Sequence, residues 1–165
     1  MQPPVIADSD IERLLAVPKP VDVVDWRASL LPPTDSGHVQ SGRLDLGEVP
    51  STIPLRGYLH VYSRLGLNHQ TEDWSTGLVY TDFAGNTYPV IRCNSPHADD
   101  HVNRIERTVI VRQPHIHRLT ERYQRHRRTN GDSYAEPTLE FSTLAEAIEH
   151  LSMLSNLIPA GRLFL

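Results

Sequence analysis

The chain contains one cysteine, one lysine and few aromatic residues (7%). With Cys93 alone, no internal disulfide framework can form, and a reducing cytoplasm is the expected setting. No apolar run approaches the roughly 20 residues that a membrane-spanning helix needs, so no membrane partner is expected. The opening MQPPVIADSDIERL has neither the basic nor the apolar region of a signal peptide. There is no glycine-rich phosphate loop, no GxSxG elbow and no paired catalytic carboxylate motif. Lysine is replaced by fifteen arginines. A GC-rich genome explains that replacement, but not where the arginines fall.

What is present describes one soluble domain over residues 1–165. Hydrophobic residues make up 39% and charged residues 22%, and the length suffices for a real core. Residues Ser9 to Val17 read as a short amphipathic helix, with Ser9 as N-cap, Glu12 completing a capping box, and Pro18 and Pro20 stopping it. Residues 28–54 are rich in glycine and proline and read as mostly irregular, with one strand near Arg43–Leu46. Period-two alternation then begins. Tyr58, His60 and Tyr62 share one strand face, a stripe that suits either base stacking or a sheet surface. Ser75–Phe83 and Thr87–Cys93 form a hairpin around Ala84-Gly85-Asn86, and Arg107–Arg118 forms a further strand interrupted at Pro114.

Residues 119–137 read as polar and irregular, with a turn at Asn130-Gly131-Asp132. A helix follows over Thr143–Leu157, opened by a Thr143/Glu146 capping box. The expected class is α+β: an antiparallel sheet of about four to five strands, flanked by a short N-terminal helix and a C-terminal amphipathic helix.

Charge is distributed unevenly. Residues 92–128 hold nine arginines, four acids and five histidines, a formal +5, while the remaining seven basic and sixteen acidic residues leave −9. A mildly acidic protein thus contains a basic, titratable segment, which suggests a phosphate-bearing partner such as RNA.

Within that segment, His115-Ile116-His117 is followed by Thr120-Glu121-Arg122-Tyr123-Gln124. Upstream stand Arg92, Asn94, Ser95, Pro96 and His97, and downstream Tyr134-Ala135-Glu136-Pro137-Thr138. This arrangement resembles an uncharacterised family of short bacterial and prophage proteins over about residues 90–157. The resemblance implies a prokaryotic or phage origin and residence on mobile elements, and it implies no activity.

Read as chemistry, His115 and His117 on a strand share one face and lie about 7 Å apart at the Cα level. Two such imidazoles can act as acid and base in metal-independent RNA cleavage. Tyr123 and Glu121 are assigned to the same catalytic set, with Glu121 or Asn94 fixing an imidazole tautomer. Arg92, Arg118, Arg122, Arg125, Arg127 and Arg128 are the expected phosphate ligands. A plainer reading makes the two histidines hydrogen-bonding caps of neighbouring loops. Cys93, His97 and His101 could join the pair around zinc, but the spacing matches no closed motif and the local charge opposes a dication. No metal or other cofactor is therefore expected, and Cys93 reads as a small buried strand residue. The rival function is a non-catalytic component of a two-gene mobile-element, defence or toxin–antitoxin-type system, whose arginines dock an acidic protein.

Overall fold

The computed structural model describes residues 3–21, 26–31, 40–68, 71–96, 99–126 and 128–159. Their elements run α1 (Asp8–Ala16), β1 (Lys19–Val21), α2 (Trp26–Leu30), β2 (Gln40–Glu48), β3 (Gly57–Asn68), β4 (Thr71–Asp82) and β5 (Thr87–Asn94). They continue with β6 (His101–Asn103), β7 (Thr108–Ile110), β8 (His115–Arg118), α3 (Glu121–Arg125), β9 (Tyr134–Pro137), α4 (Leu144–Leu154) and β10 (Leu157–Pro159). The class is α+β. The central antiparallel sheet has six strands in the order β2-β3-β4-β5-β8-β9, one more than the sequence suggested. Two small pairs accompany it: parallel β1 with β10, and the β6–β7 hairpin. No helix among the described residues is long and apolar enough to cross a membrane.

Four local expectations need correction, each for a physical reason. First, α1 is capped two residues earlier than expected, at Ala7 rather than Ser9 and with no side-chain cap. Ser9 lies within the helix, while the Asp8 carboxylate accepts the Glu121 backbone N–H at 2.6 Å. Second, residues 40–48 form a full edge strand. Its glycines serve packing and twist: a Cβ on Gly42 would sit 2.5 Å from the Ser29 carbonyl oxygen, and Gly47, at φ +85°, follows a bulge.

Third, Arg107–Arg118 is two strands, because β7 turns back to pair with β6 and the chain re-enters the main sheet only at His115. Fourth, residues 119–137 contain α3 and β9. Thr120 caps α3 by accepting the Tyr123 N–H. The C-terminal helix keeps its expected Thr143/Glu146 capping box but stops at Leu154, since Leu157–Pro159 pairs with β1.

α4 packs across β4 and β5, burying Leu144, Ala147, Ile148 and Leu151, and α2 covers β2 and β3. The core side of the sheet includes one cross-strand row, Ser63, Thr76, Cys93 and Ile116. Because strand side chains alternate, the rows on either side of it point to the opposite face. Those rows are Arg64, Ser75, Asn94 and His115, and Tyr62, Gly77, Arg92 and His117. That opposite face is where polar chemistry collects.

Candidate active site

The two rows place His115 beside Asn94, and His117 beside Arg92, at the β5–β8 pairing. Gly77 has no side chain between Tyr62 and Arg92, and a Cβ there would lie 3.0 Å from the Tyr62 ring. The Tyr62 hydroxyl reaches both Ser75 and Arg92 across that gap. A third histidine arrives from outside the sheet. His101 and Asn103 face inward from β6 while Val102 between them is exposed.

Asn103 fixes that approach. Its side-chain oxygen accepts the Ala135 N–H at 2.9 Å, and its amide nitrogen donates to the Ala135 carbonyl at 2.8 Å. One side chain thereby satisfies a stretch of the outer edge of β9 and ties the hairpin to the sheet. His101, two residues away, is held over the histidine pair as a result.

The three rings are in mutual contact. Centroid separations are 4.6 Å for His101–His117, 4.9 Å for His115–His117 and 5.4 Å for His101–His115. One ring nitrogen from each lies within 4.8 Å of the others. Each ring is also anchored to backbone: His115 Nδ1 to the Gln113 carbonyl at 2.9 Å, His117 Nδ1 to that of Asp132 at 2.8 Å, and His101 Nε2 to that of Ser133 at 2.9 Å. His115 and His117 are buried, and His101 is half-buried. Burial first, then the nearby Arg92 charge, pushes the His117 imidazole down to about 2. That ring is neutral throughout the physiological range.

His101 and His117 open onto a cavity of about 300 Å³, shared with Arg64, Asp73, Trp74, Ser75, Arg92 and Asn94. Arg92 is ion-paired with Asp132 at 3.3 Å. Arg64 is exposed and makes no ion pair among the described residues.

No protein-family model, no curated protein and no solved structure matches the chain. What the site does must therefore be argued from its own geometry.

The structure brings together only part of the set expected from the sequence. His115, His117 and Arg92 share the cluster, and Asn94 lines its cavity. The other expected residues lie elsewhere. Tyr123 is buried beside Tyr134 and donates its hydroxyl to Glu106; burial and that carboxylate push the phenol up to about 12. Glu121 pairs with Arg125 at 2.7 Å, Arg122 with Glu106 at 3.0 Å, and Arg118 with Glu136 at 3.6 Å. The tautomers are fixed by backbone carbonyls, so neither Glu121 nor Asn94 is needed for that role. Arg128 is exposed, and Arg127 and His97 lie outside the described residues.

Cys93 projects to the core face opposite the histidines, and burial raises its thiol to about 12, so it cannot join them around a cation. The Tyr58–His60–Tyr62 stripe does not form one stacking surface: Tyr58 packs on Phe83 at 5.5 Å, while Tyr62 turns to Arg92.

The sequence pattern did not single out Arg64, Ser75 or Asn103, and it offered His101 only as a weak metal candidate beside Cys93 and His97. A signal did exist in His101-Val102-Asn103, polar-apolar-polar alternation on a three-residue strand. The adjoining acidic pair and the 104–107 turn conceal it.

Proposed function

We propose that this cavity binds a backbone phosphate of RNA and that the protein cleaves the strand there. One observation carries the reading: two arginines and two imidazoles line a single polar cavity together with one carboxylate, Asp73. Arg64 and Arg92 supply planar forks suited to phosphate oxygens, and Ser75 and Asn94 add uncharged polar groups. The imidazoles of His101 and His117 would border a phosphate held there. Basic side chains outside the cavity, Arg128 among them, add salt-sensitive attraction along the strand.

The test uses end-labelled single-stranded RNA with wild type and an Arg64→Ala/Arg92→Ala double variant of matched fold. Binding weakened about tenfold or more in the variant supports the assignment. Equal binding by both proteins, or no binding by wild type at low salt, overturns it.

A second reading has its own observation. Val102, Val109 and Val111 are exposed on and beside the β6–β7 hairpin, among the arginines Arg104, Arg107 and Arg112. An apolar row set among cations suits an acidic protein partner. It predicts salt-sensitive complex formation with no turnover of RNA.

A further inference from the structure

We infer that His101, His115 and His117 form a binding site for a single transition-metal dication, zinc being the best fit, with its open coordination position facing the Arg64–Arg92 cavity. This deepens the RNA reading by naming the cofactor of the same site, yet it stands or falls on metal binding alone.

Three carbonyl contacts set the tautomers of the rings. A carbonyl oxygen only accepts, so the ring nitrogen facing it must carry the proton. Gln113, Asp132 and Ser133 therefore fix the protons on His115 Nδ1, His117 Nδ1 and His101 Nε2. In each neutral ring the lone pair then belongs to the other nitrogen: His115 Nε2, His117 Nε2 and His101 Nδ1. A ring N–H donated to a carbonyl is the outer-shell arrangement that orients metal-ligating histidines. Two backbone segments provide it here, residue 113 and the adjacent residues 132 and 133.

Distance is consistent with a mononuclear site. One ring nitrogen from each histidine lies within 4.8 Å of the others. Tetrahedral zinc with bonds of about 2.0–2.1 Å needs nitrogens about 3.3 Å apart. The difference between the two figures is at most about 1.5 Å, within the reach of side-chain rotation.

Ligand chemistry selects the ion. Three imidazoles with no carboxylate or thiolate among them favour zinc, copper, nickel or ferrous iron over magnesium or calcium. Among the described residues no fourth ligand completes the cluster. Three protein ligands with a fourth position left for water is the pattern of catalytic rather than structural zinc. His101 and His117 line the cavity and His115 is not among its lining residues, so the open position points toward Arg64 and Arg92. Asp132, paired with Arg92, offsets the guanidinium charge next to His117.

Such an ion would lower the pKa of its bound water to about 7. The hydroxide oxygen would form the new bond to phosphorus. The bond to the leaving oxygen would break with its electron pair on that oxygen, which then takes a proton from solvent.

The test uses the full-length protein without a histidine tag, stripped with chelator and titrated with Zn²⁺ and, separately, with Co²⁺ as an optical probe. We expect one equivalent of zinc, visible bands of tetrahedral cobalt, and a thermal transition raised by saturating zinc. His117→Ala should bind at least about 100-fold more weakly. His101→Gln, a change on the half-buried hairpin, gives the same readout should the buried substitution fail to fold.

Absence of stoichiometric zinc binding by wild type overturns the inference. So does binding of unchanged affinity in folded His101→Gln. RNA affinity is measured on the stripped protein in parallel. Loss of metal binding with RNA affinity intact defeats only the metal site, and the converse defeats only the RNA reading.

Discussion

Two neighbouring parts of the basic segment use the same residue types and reach different ends. Along α3 and the strand before it, each of three arginines meets an acid: Arg118 with Glu136, Arg122 with Glu106, and Arg125 with Glu121. On the β5–β8 face, by contrast, three imidazoles converge on one another and a cavity opens between Arg64 and Arg92. Three arginines of the densest stretch are thus paired with acids, and the sparser stretch holds the site. Charge density along a chain counts residues. It does not count the acids that folding supplies from elsewhere.

The sharpest way to break this comparison is to exchange the two regions in a cleavage assay. His101→Ala or His117→Ala should reduce RNA cleavage on the order of 100-fold or more, since even outer-shell changes at metal sites cost 10–100-fold. Tyr123→Phe should leave cleavage within about twofold, because its hydroxyl serves Glu106 rather than the cavity. The reverse result would move the site to α3. Binding should divide the same way, with a smaller effect. Arg64→Ala/Arg92→Ala weakens RNA binding about tenfold, whereas Arg122→Ala/Arg125→Ala changes it by less than about threefold when measured at the same salt.

These contrasts also show why the sequence reveals some levels and hides others. The α+β class, the 75–93 hairpin and the Thr143 capping box follow from local pattern: alternation, turn residues and a cap with its partner three positions on. His115 and His117 sharing a face follows from strand geometry alone. His101 joining them does not, because it depends on Asn103 bonding the edge of β9, a contact spanning 32 residues. The carbonyls that set the tautomers are likewise invisible in sequence, since any residue supplies one. Arg64 enters through a register across three strands. Its neighbours in the chain, Ser63 and Leu65, give no hint of it.

Asn103 offers a stability contrast of intermediate size. Asn103→Ala leaves the buried Ala135 N–H and carbonyl without their partners and should lower stability by roughly 2–4 kcal/mol. It should also weaken metal binding, because it releases the strand carrying His101. Arg125→Ala, on the exposed surface, should leave the melting temperature unchanged. Denaturant titration of both variants decides the point.

Acid should act through the cluster as well. His117 faces Arg92, His101 and His115, with Asp132 near. Its ring titrates at about 2 in the folded protein, against about 6.5 when unfolded. Between those values the unfolded chain binds a proton that the folded one refuses. Stability of the metal-free protein should therefore fall as pH drops below about 6.5 and hold steady above it. His117→Gln should flatten that slope. The smallest expected signal is at Cys93, whose thiol, raised to about 12, should not react with a disulfide reagent at pH 8 until the protein unfolds.

The most direct test of the account is an anomalous difference map at the zinc edge, from crystals of the untagged protein grown with zinc. One peak among the ring nitrogens of His101, His115 and His117, with a fourth ligand on the side of Arg64 and Arg92, is the predicted result. Zinc bound only elsewhere, with the three rings unmoved and no peak between them, would contradict it.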